Sequence, residues 1–159
     1  MKVKLIQALL PILLVAVALT SCDNSHPGFK KSENGIYYQI VSQIDSNSHV
    51  KIDSGMFWQL SMSYGSTDSL LFDAKDSRGT FDLPYNEPTY PGDINEALSM
   101  FAKGDSVIFI IKADSFFLKT ARAPEVPEMF KENNDLYFWV KIEDIVTMEQ
   151  LEADRIADL

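Results

Sequence analysis

Few side chains in this sequence are of the types that carry covalent, metal or proton-transfer chemistry. The chain has one cysteine, Cys22, and two histidines, His26 and His49, both in polar stretches. A single histidine in such surroundings is typical of a solvated loop, not of a metal ligand or a catalytic triad. The sequence contains no glycine-rich phosphate loop, no Cys/His cluster and no Gly-x-Ser-x-Gly turn. Nucleotide, zinc and serine-hydrolase chemistry therefore lack support, and no cofactor or metal is expected.

Cys22 follows a segment with the plan of a secretory signal peptide. Two lysines open it, residues 5–19 are almost wholly apolar, and Leu19-Thr20-Ser21 places two small residues before the thiol. This ending resembles the lipobox of bacterial lipoproteins, in which the cysteine is lipidated and becomes the first mature residue. Pro11 interrupts an apolar run that is already shorter than the about 20 residues of a spanning helix. We predict a lipoprotein signal peptide over residues 1–21, lipidation at Cys22 and a lipid-anchored location in the cell envelope.

Charge narrows the range of partners. Removing residues 1–21 takes away two lysines and no acid, which leaves 138 residues with 12 basic and 23 acidic side chains, a net charge of −11. Nucleic-acid binding is not expected, because it depends on Lys and Arg at the phosphates. An anionic lipid surface is repelled as well, so membrane contact is expected through the acyl chains alone. A chain of this length can form one domain with a sizeable core.

Composition divides the mature chain into three parts. Residues 22–34 are polar and contain Pro and Gly, which predicts a tether between lipid and domain. Residues 35–145 hold the alternating apolar patterns of strands, and residues 146–159 form an acidic tail with the weak amphipathic pattern of a terminal helix. Residues 114–134, with two prolines, are predicted as a long loop.

The order of elements predicts the fold class. Strand patterns occupy residues 36–41, 56–64, 70–72, 80–83, 105–113 and 136–142. One helix is predicted inside the domain, with Asp93 as its N-cap, Ile94 to Phe101 at helical spacing and Lys103-Gly104 at its end. Several strands, one short helix and two further strands indicate an α+β protein with a curved antiparallel sheet wrapped around that helix.

Several short motifs then appear in the order known from one family. Over residues 35–144 the chain resembles an FKBP-type peptidyl-prolyl cis-trans isomerase in its bacterial lipoprotein form. The matching pieces are the lead-in Gly35-Ile36-Tyr37-Tyr38, the strand 60–64, the motif Leu71-Phe72-Asp73-Ala74, the helix segment 91–104 and the strands 107–113 and 135–142. Each motif alone is unspecific, whereas their common order and spacing are more specific.

The resemblance implies a pocket for a proline ring. It implies catalytic roles for Phe72 as a wall, for Asp73 as an acceptor near the substrate amide, held by Arg78, and for Phe117 at a loop position where the family has a tyrosine. The implied substrate-binding residues are Met62 or Tyr64, Tyr90, Ile94 and Phe138. Spacing from Phe72 favours Met62 as the strand residue that faces the pocket, while residue type favours Tyr64, and both stay open.

Three departures from the family pattern lead us to expect attenuated activity. Ile94 replaces the usual aromatic floor, Phe117 has no hydroxyl to donate, and Pro91 has no backbone N–H where the family offers one to the ligand. The expected function is a lipid-anchored isomerase acting on X–Pro bonds of proline-containing exported polypeptides. The alternatives are a non-catalytic FKBP-like binding module or holdase of the envelope, and an unrelated β-rich lipoprotein. The sequence gives no indication of oligomeric state.

Overall fold

The structure is a computed structural model that describes residues 25–43, 52–76 and 79–157. The strands of this part are β1 (Lys30–Lys31), β2 (Tyr37–Ser42), β3 (Met56–Gly65), β4 (Leu70–Asp73), β5 (Phe81–Pro84), β6 (Ser106–Lys112) and β7 (Asp135–Thr147). The α-helices are α1 (Ile94–Ser99), α2 (Ala113–Ser115), which continues as a π-helix over Phe116–Thr120, and α3 (Met148–Ala157). Short 3-10 turns occupy Ala74–Asp76 and Glu128–Phe130.

All the strands pair antiparallel in one sheet. Its order is β1-β2-β6-β7-β3-β4, and β5 pairs with β3 beside β4. The two longest strands, β3 and β7, pair from Met56↔Thr147 to Gly65↔Tyr137. An antiparallel sheet with a short helix between its strands is the predicted α+β class, which is confirmed.

Alternation along β3 gives the sheet its two faces. Trp58, Leu60 and Met62 are buried, with exposed fractions of 0, 0 and 7%, whereas the serines between and after them are half-buried. Since successive side chains of a strand point to opposite sides, these apolar residues define an inner face. Helix α1 belongs to the same core, because its Ala97 and Leu98 are fully buried in the cluster that contains the inner face of β3.

The start of α1 is held by one buried carboxylate. Asp93 is 1% exposed, and its Oδ1 accepts hydrogen bonds from the backbone N–H groups of Asn95 at 2.7 Å and Glu96 at 3.0 Å. Its Oδ2 accepts from the N–H of Thr89 at 2.8 Å. The predicted N-cap is confirmed. The predicted end at Lys103-Gly104 is wrong, because α1 ends at Ser99 with Met100 as its C-cap. Gly104, with φ +88°, lies in the turn before β6 and donates its N–H to the carbonyl of Ile142.

The N-terminal tether predicted over residues 22–34 is corrected in its described part. Lys30 and Lys31 form β1 and pair with Tyr38 and Tyr37 of β2. Phe29 lies edge-on to Tyr137, with ring centroids 6.4 Å apart. The polar composition and the Pro-Gly pair indicated a solvated linker, but an aromatic contact and a strand pairing hold this segment against the sheet.

His26 was predicted to be a solvated loop residue, and this is wrong. Its Nε2 lies 2.8 Å from Oδ2 of Asp135, and its side chain is 9% exposed. The imidazole ring lies 4.2 Å from the ring of Tyr37, centroid to centroid. An aromatic neighbour and a carboxylate acceptor thus bury a side chain whose sequence neighbours are all polar.

The C-terminal boundary also differs from the prediction. Strand β7 continues to Thr147, beyond the expected domain end at residue 145, and α3 follows directly. Leu151 of α3 is 3% exposed, which places this helix against the domain. Within the residues that the structure describes, no helix is both long and apolar enough to cross a membrane.

Replacing Asp93 by alanine tests the helix cap. We expect D93A to lower the free energy of unfolding by roughly 2 kcal/mol, because buried N–H groups lose their acceptor. D93N keeps one acceptor oxygen and should lose about half as much. Urea denaturation measures both, with the exposed-site variant E132A as control. Equal midpoints for D93A and E132A would contradict this account of the helix start.

Replacing His26 by alanine tests whether the N-terminal segment is held in place. We expect trypsin to cut after Lys30 and Lys31 about fivefold faster in H26A, since losing roughly 1 kcal/mol of local contact raises the opened population by that factor. Global stability in urea should change little. The exposed-site variant E33A serves as control, and an unchanged cleavage rate in H26A would show that the segment is held by other contacts.

Candidate functional site

The inner face of β3 ends in a group of four aromatic rings. Tyr64 lies in register with Phe138 of β7 on one side and with Phe72 of β4 on the other. Its ring centroid is 5.3 Å from that of Phe138 and 5.4 Å from that of Phe72, and the Phe72 ring lies nearly parallel to it. Phe116 lies 5.6 Å from Tyr64 and 5.4 Å from Phe138, edge-on to both. We call Tyr64, Phe72, Phe116 and Phe138 the ring cluster.

Exposure within the ring cluster is uneven. Phe138 is completely buried and Phe116 is 8% exposed, whereas Tyr64 and Phe72 are half-buried. A group that approaches from solvent therefore meets Tyr64 and Phe72, with the other two rings behind them.

A glycine allows β4 to come this close to β3. A Cβ on Gly65 would lie 2.2 Å from the carbonyl oxygen of Ser69 and 2.7 Å from Cα of Leu70, so no side chain fits there. The strand register shifts between Tyr64 and Gly65, as at a β-bulge. Gly65 thus permits the tight turn that places Phe72 on the ring of Tyr64.

The predicted loop 114–134 is corrected at its start, where helical turns carry two phenylalanines. Phe116 contacts the ring cluster, while Phe117 contacts Phe116 at 5.3 Å and Phe130 at 5.7 Å. The π-helical turn is closed by the N–H of Ala121, which donates to the carbonyl of Phe116 at 2.8 Å. Sequence reasoning selected Phe117 and missed Phe116. The adjacent pair was the available signal, but the helical phase decides which ring faces Tyr64.

Met62 and Ile94 lie in the common core. Met62 is on the same face of β3 as Tyr64, in register with Val140, and is 7% exposed. Ile94, the first residue of α1, is also 7% exposed and belongs to the same buried cluster as Phe138. Of the two strand candidates, Tyr64 is the one in ring contact with Phe72 and Phe138.

Asp73 does not share the side of the sheet that carries the ring cluster. It follows Phe72 in β4 and pairs with Ser63, so strand alternation directs its carboxylate to the outer face. Its Oδ1 accepts the N–H of Lys75 at 3.0 Å, and it borders a depression together with Trp139. The family resemblance implied that Asp73 lies next to the substrate amide. In the structure its carboxylate lies on the face opposite the ring cluster. The predicted pairing with Arg78 lies outside the described residues.

Tyr90 is not part of the ring cluster. It contacts the end of the π-helical turn Phe116–Thr120. Its hydroxyl and the hydroxyl of Thr120 are 2.7 Å apart, and Nζ of Lys119 lies 4.8 Å from the centre of its ring. Burial raises the pKa of Tyr90, and the hydrogen bond with Thr120 opposes that rise. Tyr90 therefore ties the loop before α1 to the turn that carries Phe116 and Phe117.

The ring cluster has one polar group, the hydroxyl of Tyr64. Burial raises the pKa of Tyr64, so the hydroxyl stays protonated and able to donate at neutral pH. The arrangement can contact an apolar ring and donate one hydrogen bond beside it. Among the described residues, no three His, Cys, Asp or Glu side chains are grouped to hold a metal ion. The predicted lipidation site, Cys22, lies outside the described residues.

No protein-family model matches the sequence, and no curated protein matches it. Solved structures are similar. FkpA from Escherichia coli aligns over 78% of this chain and 54% of its own, with a TM-score of 0.59 and 18% identity. This chain thus spans about half the length of FkpA. The N-terminal domain of FKBP42 from Arabidopsis thaliana aligns over 74% of this chain and 91% of its own, with a TM-score of 0.54 and 13% identity. These similarities establish an FKBP-like fold, in which a curved antiparallel sheet wraps around the short helix α1.

Proposed function

We propose that this protein is an exported, lipid-anchored peptidyl-prolyl cis-trans isomerase with attenuated activity on X–Pro bonds of envelope or secreted proteins. The observation that carries the proposal is the ring cluster, which lies on the inner face of a sheet with an FKBP-like fold. Its two half-exposed members, Tyr64 and Phe72, stack 5.4 Å apart and offer an aromatic surface of the kind that a proline ring contacts.

The mechanism follows from the electronic structure of the amide. Resonance gives the C–N bond partial double-bond character, so an X–Pro bond isomerises over tens to hundreds of seconds. The twisted amide loses this resonance and becomes less polar. An apolar aromatic surface stabilises the twisted form more than water does, and only such differential binding accelerates the reaction. The step needs no nucleophile, metal or proton transfer.

In this proposal Phe72 and Tyr64 contact the proline ring, and Phe138 and Phe116 support them from behind. The hydroxyl of Tyr64 is the polar group beside these rings, and burial raises its pKa. It donates to the substrate carbonyl that precedes proline, a role that Phe117 cannot perform without a hydroxyl. Attenuation follows because the Asp73 carboxylate, expected beside the amide, accepts the N–H of Lys75 instead.

A second candidate function is a non-catalytic FKBP-like binding module or holdase. The observation that favours it is the same placement of Asp73, which leaves the ring cluster with apolar contacts and a single donor. Such a surface binds apolar segments of unfolded chains without accelerating rotation of their amides. An aggregation assay with an unfolded client, compared with an isomerisation assay, separates the two functions.

A coupled proline-isomerisation assay with a proline tetrapeptide tests the enzyme. We expect measurable activity in the wild type. F72A should lower kcat/KM about tenfold, because an aromatic contact to the twisted amide is lost. Y64F should lower it about fivefold, the value of one ordinary hydrogen bond. L71S changes an exposed residue of the same strand and is the matched control, expected to be active as the wild type.

Asp73 supplies the sharpest contrast in that assay. D73A is expected to change kcat/KM less than twofold, since its carboxylate is placed on the outer face. A loss in D73A as large as that in F72A would restore the role implied by family resemblance and contradict ours. Wild-type protein with no activity, together with suppression of client aggregation that F72A abolishes, would favour the binding module.

Lipid anchoring is tested at Cys22. We expect C22S, expressed with its leader, to move from the membrane to the soluble fraction, because thioether-linked acyl chains supply its membrane affinity. Partition into a detergent phase measures the change. S21A keeps a small residue before the thiol and should remain with the membrane. Membrane retention of C22S would contradict the lipid anchor and leave the isomerase proposal untouched.

A further inference from the structure

The outer face of the sheet holds a trough that the proposed isomerase does not use. It consists of two adjoining depressions, of about 300 and 450 Å³, which share Ser63, Lys75 and Trp139. Trp139 follows Phe138 in β7, so it points away from the ring cluster. We call this surface the outer trough. It lies on the opposite side of the sheet from α1.

One tryptophan stands in the middle of the outer trough. The indole of Trp139 is half-buried, and the ring of Tyr137 stacks on it with centroids 5.8 Å apart and planes 20° apart. Both depressions touch Trp139, and Tyr137 borders neither of them. Tyr137 therefore supports one side of the indole, and the side toward the trough is available for stacking.

Hydroxyl groups dominate the polar lining. The strands contribute serines and the β3–β4 turn contributes further hydroxyls. The hydroxyl-bearing residues are Ser61, Ser63, Ser66, Thr67, Ser69 and Ser106. Each hydroxyl can both donate and accept. Charges of both signs are present, with Lys75 near Asp68 and Asp73, while Lys141 is paired with Glu143 at 2.6 Å. The exposed lining of both depressions is nevertheless mainly apolar. It therefore suits a neutral ligand that combines an apolar face with hydroxyl groups.

The backbone beneath Trp139 is fully engaged in the sheet, whereas β4, at the border of the second depression, is an edge strand that pairs with β3 alone. β6 pairs with β2 and β7, β7 pairs with β6 and β3, and β3 pairs with β7 and with β4 and β5. An extended peptide that adds to a sheet needs a free strand edge. Around Trp139, whose strand β7 is paired on both sides, recognition is therefore left to side chains, namely the indole and the neighbouring hydroxyl groups.

We propose that the outer trough binds a neutral glycan, with one sugar ring stacked on the open side of Trp139. The apolar face of a pyranose packs on the indole, and its hydroxyls exchange hydrogen bonds with Ser61 and Ser63 and with the β3–β4 turn. A few polar groups around an aromatic wall are what fixes a small ligand in its site. The binding is non-covalent and independent of proline isomerisation.

The experiment uses Trp139 as its own reporter. The chain has two tryptophans, and W58F leaves Trp139 as the only one. Trp58 is fully buried, and its indole N–H has no hydrogen-bond partner among the described residues, so phenylalanine removes an unpaired donor. The probes are maltotriose, cellotriose and tri-N-acetylchitotriose, titrated by fluorescence in W58F and by calorimetry in the wild type. We expect a saturable change with at least one of them.

Variants locate the site. W139A should weaken binding at least about tenfold, as expected for a central tryptophan, and W139F should lose less because it keeps a stacking ring. S63A should weaken binding a few-fold. L71S, outside the trough, and F72A, on the inner face, should bind as the wild type does. Urea denaturation verifies that each variant is folded.

Three results would overturn the proposal. These are no saturable change with any of the three sugars, equal affinity in W139A and the wild type, or a saturable Trp139 response to a proline tetrapeptide without one to sugars. F72A distinguishes the two functions, since it is expected to lose isomerase activity while keeping sugar binding.

Discussion

The pairing of β3 with β7 is the constraint on which the rest of the structure depends. It runs from Met56↔Thr147 to Gly65↔Tyr137, and it sets Tyr64 opposite Phe138. Because side chains alternate with a period of two, a slip by one residue would exchange the inner and outer faces along the whole strand. The same register therefore determines the ring cluster on one side and the position of Trp139 on the other. The register shift between Gln59 and Leu60 lies in β7, where one extra residue, Glu143, stands between their partners Asp144 and Ile142. It allows both Ile142 and Ile145 to be buried opposite inner-face residues of β3.

Two polar residues, the buried Asp93 and His26 with a side chain 9% exposed, fix the parts that flank this pair of strands. Asp93 accepts hydrogen bonds from the N–H groups at the start of α1. It thereby fixes the position of Ile94 and of the core residues that follow. His26 joins the N-terminal segment to Asp135, the first residue of β7, and Lys112 approaches the same carboxylate with its Nζ at 3.2 Å. Each of these contacts replaces water at a polar group that would otherwise be costly to bury. They explain why segments of polar composition are part of the domain.

The ring cluster on the inner face is apolar and contains no charged side chain. Tyr64 supplies the hydroxyl of the ring cluster, and burial raises its pKa, so it acts as a neutral donor. A site of this kind suits a reaction whose transition state is less polar than its ground state. The placement of Asp73 on the outer face separates the carboxylate from that site, which is the physical basis for expecting reduced activity. The solved structures establish the FKBP-like fold, and function depends on the side chains that this fold carries.

The sequence by itself determined the α+β class, most of the strands and the N-cap at Asp93, because alternation and capping are local properties. It placed the end of α1 at Gly104, whereas the helix ends at Ser99. The resemblance to FKBP-type isomerases implied that Phe72 and Phe138 line one site. Only the tertiary structure decided that Tyr64 contacts both, that Phe116 and not Phe117 completes the ring cluster, and that Asp73 lies on the other face. The reason is that register and helical phase depend on contacts between residues far apart in the chain. The burial of His26 has the same origin, since its partners Tyr37 and Asp135 are brought to it by the sheet.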